Sequence, residues 1–216
     1  MGWLTRTYAT SIGKKTIMAG SGALLGMFVV VHAAGNATSL FGREIFLAYA
    51  AHLHAFGFLL SIFESLLVIL FLLHVATGLL LAGENFLARP HRYSMGRNAG
   101  GRTPASRTMI YTGAAVLLFI PVHLANFHFT REIISIADLV PKVFRQPHFA
   151  LIHIVAVLCL AIHVSHGFWS MFQTMGLDHP KYLPVIQGCA LLFSLLIGVI
   201  FALIPLLAFL HEGFLL

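Results

Sequence analysis

The chain has 216 residues, of which 59% are hydrophobic and only 9% are charged. A water-soluble domain normally carries about 25% charged residues, so the composition excludes a soluble globular protein and leaves no room for a separate catalytic domain. The formal net charge of +6 does not indicate a nucleic-acid-binding face, because the basic residues are concentrated on one side of the segments predicted below.

Five apolar segments follow one another along the chain, each bounded by charged or Gly- and Pro-rich breaks. Each is long enough to cross a membrane, which takes roughly 20 apolar residues. They predict helices over residues 16–38, 56–81, 106–129, 149–175 and 184–210. We therefore predict an all-α integral membrane protein in which residues 1–216 form one transmembrane domain, with no long internal repeat.

The distribution of Lys and Arg predicts the orientation of these helices. Nine of the thirteen basic residues lie in the N-terminal tail and in the second-to-third and fourth-to-fifth connections. Because basic residues favour the cytoplasmic side, we expect the N-terminus in the cytoplasm and the C-terminus outside. The basic N-terminus resembles that of a signal peptide, but the apolar run after it is too long and has no cleavage motif, so we expect this segment to be retained.

Seven of the thirteen histidines lie inside predicted spans, and four of them stand one on each of the first four helices: His32, His74, His123 and His163. A polar side chain at membrane depth is usually functional or bonded to a neighbouring helix. A lone histidine there favours the second role. Four of them on four successive helices favour a ligand role.

The depths of these histidines predict two pairs. With a rise of ~1.5 Å per residue, His32 and His123 each lie about 25 Å from the cytoplasmic start of their helices. His74 lies roughly 10 Å, and His163 roughly 18 Å, from the cytoplasmic end of its helix. We treat the second two as one level, so the sequence predicts an outer pair from helices one and three and an inner pair from helices two and four.

Two histidines from facing helices are a common way to hold a b-type haem in a helical bundle. Glycines near the ligands make room for a flat macrocycle, although close helix packing also uses glycine; the candidates are Gly20, Gly22, Gly26, Gly35, Gly78 and Gly167. Other helix-borne histidines, His128, His153 and His166, compete for the ligand roles. Depth does not separate His166 from His163, one turn away.

Several short motifs in a fixed order carry a family resemblance over essentially the whole chain. They are Ser11-Ile-Gly-Lys-Lys15, His32-Ala-Ala-Gly-Asn36, His74-Val-Ala-Thr-Gly78, His123-Leu124 and His163-Val-Ser-His-Gly-Phe-Trp-Ser170. Together they resemble the five-helix, single-subunit dihaem cytochrome b membrane anchor of succinate dehydrogenase and fumarate reductase (succinate:quinone oxidoreductase).

The resemblance implies that the first four helices form a haem-binding bundle with two haems b. Its ligands are His32 and His123 for the outer haem, and His74 and His163, in preference to His166, for the cytoplasm-side haem. It implies two soluble partners, an FAD flavoprotein that interconverts succinate and fumarate and an iron–sulfur subunit. It also implies a membrane quinone, with menaquinone favoured, and a bacterial inner membrane as the location.

Glu64 is the one carboxylate deep within a predicted helix, and it lies ~15 Å outward of His74. An intramembrane carboxylate indicates a functional site, so we predict a role for Glu64 at the quinone site or in proton transfer; the structural alternative is a protonated residue that joins two helices. Some relatives carry a Glu two residues before the fourth ligand, where this chain has Ala161. Candidate cationic partners for haem propionates are Lys14, Arg89, His91 and Arg107.

Two other interpretations remain open at this stage. The chain could be the dihaem cytochrome b of another oxidoreductase, such as a hydrogenase or formate dehydrogenase, although one ligand on each of four helices argues against this. It could also be a metal or proton transporter with intramembrane histidines. Such transporters usually carry several intramembrane carboxylates, whereas this sequence has one deep Glu.

Overall fold

The computed structural model describes residues 2, 8–88, 104–130 and 134–215. The described residues contain helices and no strands. The helices are α1 (Ser11–Ala37), α2 (Arg43–His54), α3 (Phe58–Leu87), α4 (Pro104–His123), α5 (Ile136–Phe144), α6 (Pro147–Thr174) and α7 (Leu183–Leu210). A 3-10 turn, Thr38–Phe41, follows α1, and a π-helical turn, Leu124–His128, extends α4.

Five of these helices are long and apolar enough to cross a membrane: α1, α3, α4 with its π turn, α6 and α7. This confirms the prediction of five spans and identifies a multi-pass membrane protein. The most apolar stretch of α3 has only 6% of its residues buried, and Phe63, Leu66, Ile69 and Leu72 are exposed on it. Such a surface is compatible with lipid as its solvent.

The helix ends differ from the predicted ends because capping depends on local hydrogen bonds. We predicted that the first helix starts at residue 16, but α1 begins at Ser11. Thr10 has extended backbone angles, and its hydroxyl accepts a hydrogen bond from the Gly13 N–H at 3.0 Å. A threonine in this position satisfies one of the first helical N–H groups, so the helix starts before the hydrophobic run.

Two short helices, α2 and α5, were not predicted, because their 12 and 9 residues are too few to cross a membrane. Arg43 joins them by donating to an Asp138 carboxylate oxygen at 2.7 Å, and it also donates to the Leu215 carbonyl at 2.9 Å. A hydrophobic cluster beneath this pair includes Phe46, Leu139, Phe144 and Ile204. Helices α2 and α5 therefore form a packed cap, which we call the distal end.

The opposite, proximal end is where α1 begins and α3 ends. There the Lys14 ammonium contacts the Glu84 carboxylate, and Lys14 is almost fully buried. Several residues used to predict orientation lie outside the described residues: Arg6, Arg89, Arg92, Arg97, Arg102 and Arg131. The side of the membrane that each end faces therefore stays a prediction.

The five long helices pack so that one edge of the arrangement is open. Helix α1 packs against α3, α6 and α7, while α6 packs against α4 and α7. Within the described residues, α3 and α4 do not pack along each other, and neither do the diagonal pairs α1/α4 and α3/α6. A central space therefore lies between α1, α3, α4 and α6, open along the α3/α4 edge.

Candidate functional site

The four predicted ligand histidines meet in two pairs across this central space. His32 on α1 faces His123 on α4, with ring centroids 5.9 Å apart and ring planes at 86°. His74 on α3 faces His163 on α6, with centroids 6.3 Å apart and planes at 76°. Each pair joins helices on a diagonal. The structure therefore brings together the same partners that depth had paired.

These separations fit one metal ion between the two rings of a pair. An imidazole nitrogen binds a transition-metal ion at about 2.0–2.1 Å, so two imidazoles on opposite sides of one ion have centroids roughly 6 Å apart. Both measured distances lie close to that value. No group of three or more metal-ligating side chains occurs among the described residues, but an axial pair on a haem iron needs only two.

The imidazoles of the proximal pair each meet a hydroxyl from a neighbouring helix. Ser21 Oγ lies 3.0 Å from Nδ1 of His74, and Thr112 Oγ1 lies 3.3 Å from Nδ1 of His163. Each hydroxyl donates its own proton within its helix, to the Met18 carbonyl in one case and to the Thr108 or Met109 carbonyl in the other. The His74 and His163 rings also hydrogen-bond the Met18 and Met109 carbonyls. A hydroxyl or a carbonyl can therefore accept from Nδ1–H, which leaves Nε2 of both rings as the nitrogen for a metal.

A glycine follows each of these hydroxyl residues and lies against the same ring. A Cβ on Gly22 would lie 3.2 Å from Cε1 of His74, and one on Gly113 would lie 3.2 Å from Cε1 of His163. Both separations are tighter than ordinary van der Waals contact. Any larger residue at either position would press on a candidate ligand.

The site therefore has two locally matched halves, a short correspondence within a chain for which we predicted no long internal repeat. In the first half, Ser21-Gly22 precedes His32 by 11 residues, and in the second half Thr112-Gly113 precedes His123 by 11 residues. Sequence reasoning missed Thr112 and Gly113, and it considered Gly22 only for its size. The equal spacing was the available signal, but two-residue matches stand out only after the contacts are known.

The distal pair lies in aromatic surroundings instead. His32 stacks on Phe28 with centroids 5.2 Å apart, contacts Phe201 of α7 at 5.5 Å, and lies 3.5 Å from the Asn36 amide nitrogen. Helix α7 is not one of the four helices that the resemblance assigns to the haem bundle, yet Phe201 brings it against one of the candidate ligands. This is possible because α7 packs against α1.

His123, the other distal histidine, contacts Phe119, Phe127 and His153 at centroid distances of 5.5, 5.3 and 5.8 Å. Its Nδ1 is buried and has no hydrogen-bond partner among the described residues. The side chain of His153 is 4% exposed, and its Nε2 is likewise buried without a partner in the described chain.

Of the two adjacent histidines on α6, His163 is the one that meets His74. The ring of His166 packs edge-on against Trp169, with centroids 5.1 Å apart. His163 is thus the one of the two that stands opposite His74, and its role as a haem ligand stays a prediction.

Glu64 and His128 face each other across the open α3/α4 edge. The Glu64 Oε1 lies 3.9 Å from Nδ1 of His128, and both side chains are about one-third exposed. His128 belongs to the π turn after α4, which follows Pro121 within that helix. A π turn widens the helix locally and redirects side chains. The predicted proton-transfer carboxylate thus has a titratable partner that the sequence had offered only as a competing ligand.

The glycines predicted to make room around the ligands have different surroundings. A Cβ on Gly35 would collide with Tyr49, and one on Gly78 would lie 3.0 Å from Met18. These two glycines therefore allow close packing of protein on protein. A Cβ on Gly20, Gly26 or Gly167 would meet no described atom within 4 Å.

The candidates for propionate binding are only partly described. Lys14 is paired with Glu84, and Arg107 is exposed; Arg89 and His91 lie outside the described residues. Ala161, where some relatives carry Glu, faces Gly198 of α7, since a Cβ on that glycine would lie 3.3 Å from the Ala161 methyl group.

Comparison with known proteins adds no relative: no family model, curated protein or solved structure matches the chain.

Proposed function

We propose that this chain is the membrane anchor and dihaem cytochrome b subunit of a succinate:quinone oxidoreductase. In this function, two haems b carry electrons between an iron–sulfur subunit and a membrane quinone, with His74 and His163 as ligands of the cytoplasm-side haem and His32 and His123 as ligands of the outer one. An FAD-containing flavoprotein partner holds the dicarboxylate site. The chain itself holds the quinone site.

The observation that carries the proposal is that the four histidines meet in two pairs, at centroid separations of 5.9 and 6.3 Å, between four membrane-spanning helices. Each separation is close to the roughly 6 Å expected for two imidazoles on opposite sides of one metal ion. Within the described residues, α3 and α4 do not pack along each other, which supports room for a flat macrocycle at that edge.

The protein's own groups supply the rest of the proposed chemistry. The hydroxyls of Ser21 and Thr112 orient the proximal imidazoles, as outer partners of ligating histidines usually do. Glu64 takes up or releases the protons that accompany quinone redox chemistry, and His128 lies close enough to share them.

A pyridine haemochrome assay on the purified chain or complex tests the cofactor. Two haems b per chain support the proposal, and a haem-free protein that folds and assembles normally rejects it. The proteins that copurify in mild detergent then distinguish the enzyme class. A flavoprotein with an iron–sulfur subunit and succinate-dependent quinone reduction supports the succinate:quinone assignment, whereas a hydrogenase or formate dehydrogenase subunit replaces it.

A further inference from the structure

Two contacting histidines near the distal end, His123 and His153, each bury one ring nitrogen that has no partner among the described residues. His123 Nδ1 and His153 Nε2 are both buried without a hydrogen-bond partner among the described residues. Burying such a group without a bond costs about 1–3 kcal/mol, so two of them in contacting rings call for an explanation.

The hydrogen bonds assign complementary roles to these two nitrogens. His153 Nδ1 lies 2.8 Å from the Phe149 carbonyl, and since a carbonyl only accepts, Nδ1 carries the proton. An uncharged His153 then presents a bare lone pair at Nε2. If His123 binds iron through Nε2, its Nδ1 carries a proton that needs an acceptor. One group lacks a donor and the other lacks an acceptor.

The geometry allows these two groups to meet. The ring centroids of His123 and His153 are 5.8 Å apart, with planes at 55°. Imidazoles joined by a direct N–H···N bond have centroids roughly 5 Å apart, given a donor–acceptor distance of about 3 Å. The bond therefore requires an approach of less than about 1 Å together with a rotation that turns the two nitrogens toward each other.

The surroundings leave His153 few other partners. Its ring is enclosed by Phe119, Phe127 and Phe144, with centroids 4.9, 5.6 and 4.9 Å away. This apolar enclosure excludes water and disfavours a charged ring. The buried amide nitrogen of Asn126, which also has no partner in the described chain, lies on the same turn as His123 and is the natural control.

Resting on the proposed function, we propose that His153 is a positioning residue for the outer haem, accepting the Nδ1–H of His123. The two haems then differ in the partners of their ligands. Both imidazoles of the inner haem meet hydroxyl and carbonyl oxygens, whereas His123 of the outer haem donates to a more basic imidazole nitrogen. A stronger acceptor increases the electron donation of the ligand and stabilises the ferric form.

The first test is a redox titration of the complete complex with His153→Phe, which keeps an aromatic ring in the enclosure and removes the acceptor. We expect one haem midpoint to rise, with a change of about tenfold in its ferric/ferrous equilibrium, or ~59 mV for one electron. In His153→Gln, which retains an acceptor oxygen, we expect the midpoint to stay close to that of the unaltered complex. Asn126→Leu should leave both midpoints unchanged.

The double variant Ser21→Ala/Thr112→Val provides the cross-check, because it must move the other haem. The proposal is overturned if His153→Phe moves neither midpoint, if both sets of variants move the same haem, or if Asn126→Leu reproduces the shift. Any of these results with two haems still bound leaves the proposed function standing. If the unaltered protein contains no haem, the proposed function itself is rejected.

A measurement on the unaltered, fully reduced complex covers the case in which His153→Phe fails to assemble. With 15N-labelled histidine, we expect nuclear magnetic resonance to show one ligand Nδ1 proton coupled to the nitrogen of a second imidazole. Its absence, while the other ligand Nδ1 protons are observed, contradicts the proposal.

Discussion

Ser21 Oγ lies 3.0 Å from Nδ1 of His74, although the two residues are separated by 53 positions and stand on different helices. Thr112 and His163 repeat the contact in the second half of the chain, at 3.3 Å. Both proximal imidazoles are thereby held in one tautomer and one direction. Each of the two proximal histidines, His74 and His163, thus has a neighbouring hydroxyl whose replacement can be tested.

The glycines beside these hydroxyls provide a steric prediction. Replacing Gly22 or Gly113 with Ala places a methyl group about 3.2 Å from the Cε1 of His74 or His163, so the ring must shift by a few tenths of an ångström. We expect a weakened or spectrally altered inner haem, and no change in the outer one, in low-temperature absorption spectra. Gly188→Ala on α7 is the control, because a Cβ there meets no described atom within 4 Å and Gly188 is not among the glycines predicted to make room for a haem. Equal spectra for Gly22→Ala and Gly188→Ala contradict the placement.

The choice between two adjacent histidines gives a second prediction. His163→Leu is expected to remove one of the two haems, because it deletes the partner of His74. His166→Leu removes a ring that packs on Trp169 and is expected to keep both haems. Haem content per chain from the pyridine haemochrome assay decides the matter, and a normal content in His163→Leu rejects the ligand assignment.

The pair at the α3/α4 edge gives a third prediction. Glu64→Gln keeps the shape of the side chain but cannot carry a proton, so quinone turnover should be abolished while both haem spectra persist. His128→Gln should reduce turnover less severely, because it lies 3.9 Å from Glu64 and acts through it. Turnover with a soluble quinone analogue, measured beside the spectra, checks both. Unimpaired turnover in Glu64→Gln leaves only the structural role, in which this residue joins two helices.

The distal cap gives a prediction about pH. The hydrogen bond and charge of Arg43 hold the pKa of Asp138 below its usual value, and the carboxylate raises the pKa of Arg43. A carboxyl whose pKa is lower in the folded state stabilises the fold above the unfolded pKa of about 3.9. This contribution is lost as pH falls through the lowered folded pKa.

Both side chains of this pair are partly exposed, so the contribution is small. In detergent, the unaltered protein should lose a little more thermal stability than Asp138→Asn as pH falls below about 4. The difference between the two melting temperatures is the measurement. Parallel curves over that pH range show that the pair contributes nothing.

Much of the organisation could be predicted from the sequence because it depends only on position along the chain. Hydropathy located the five spans, and the fixed rise of a helix placed His32 level with His123. Helices α2 and α5 were missed, since they are short and their burial depends on contacts with α7 and with Leu215. The start of α1 was misplaced because it depends on the Thr10 cap.

The direction of a side chain around its helix could not be predicted in the same way. His163 and His166 differ by less than one turn, so depth could not separate them, and the choice rested on a family resemblance. The structure separates them through the ring that each one meets, His74 or Trp169. His153 was passed over for a related reason, because its importance lies in its contact with His123.

Sequence by itself determined that this is a membrane protein with five spans and that four of its buried histidines fall into two levels. It did so because lipid selects long apolar runs and a helix converts residue number into depth. Only the tertiary structure decided which hydroxyl, glycine or second histidine touches each ring, and that α3 and α4 stand apart. Those relationships depend on how helices pack sideways, and residue number does not measure that direction.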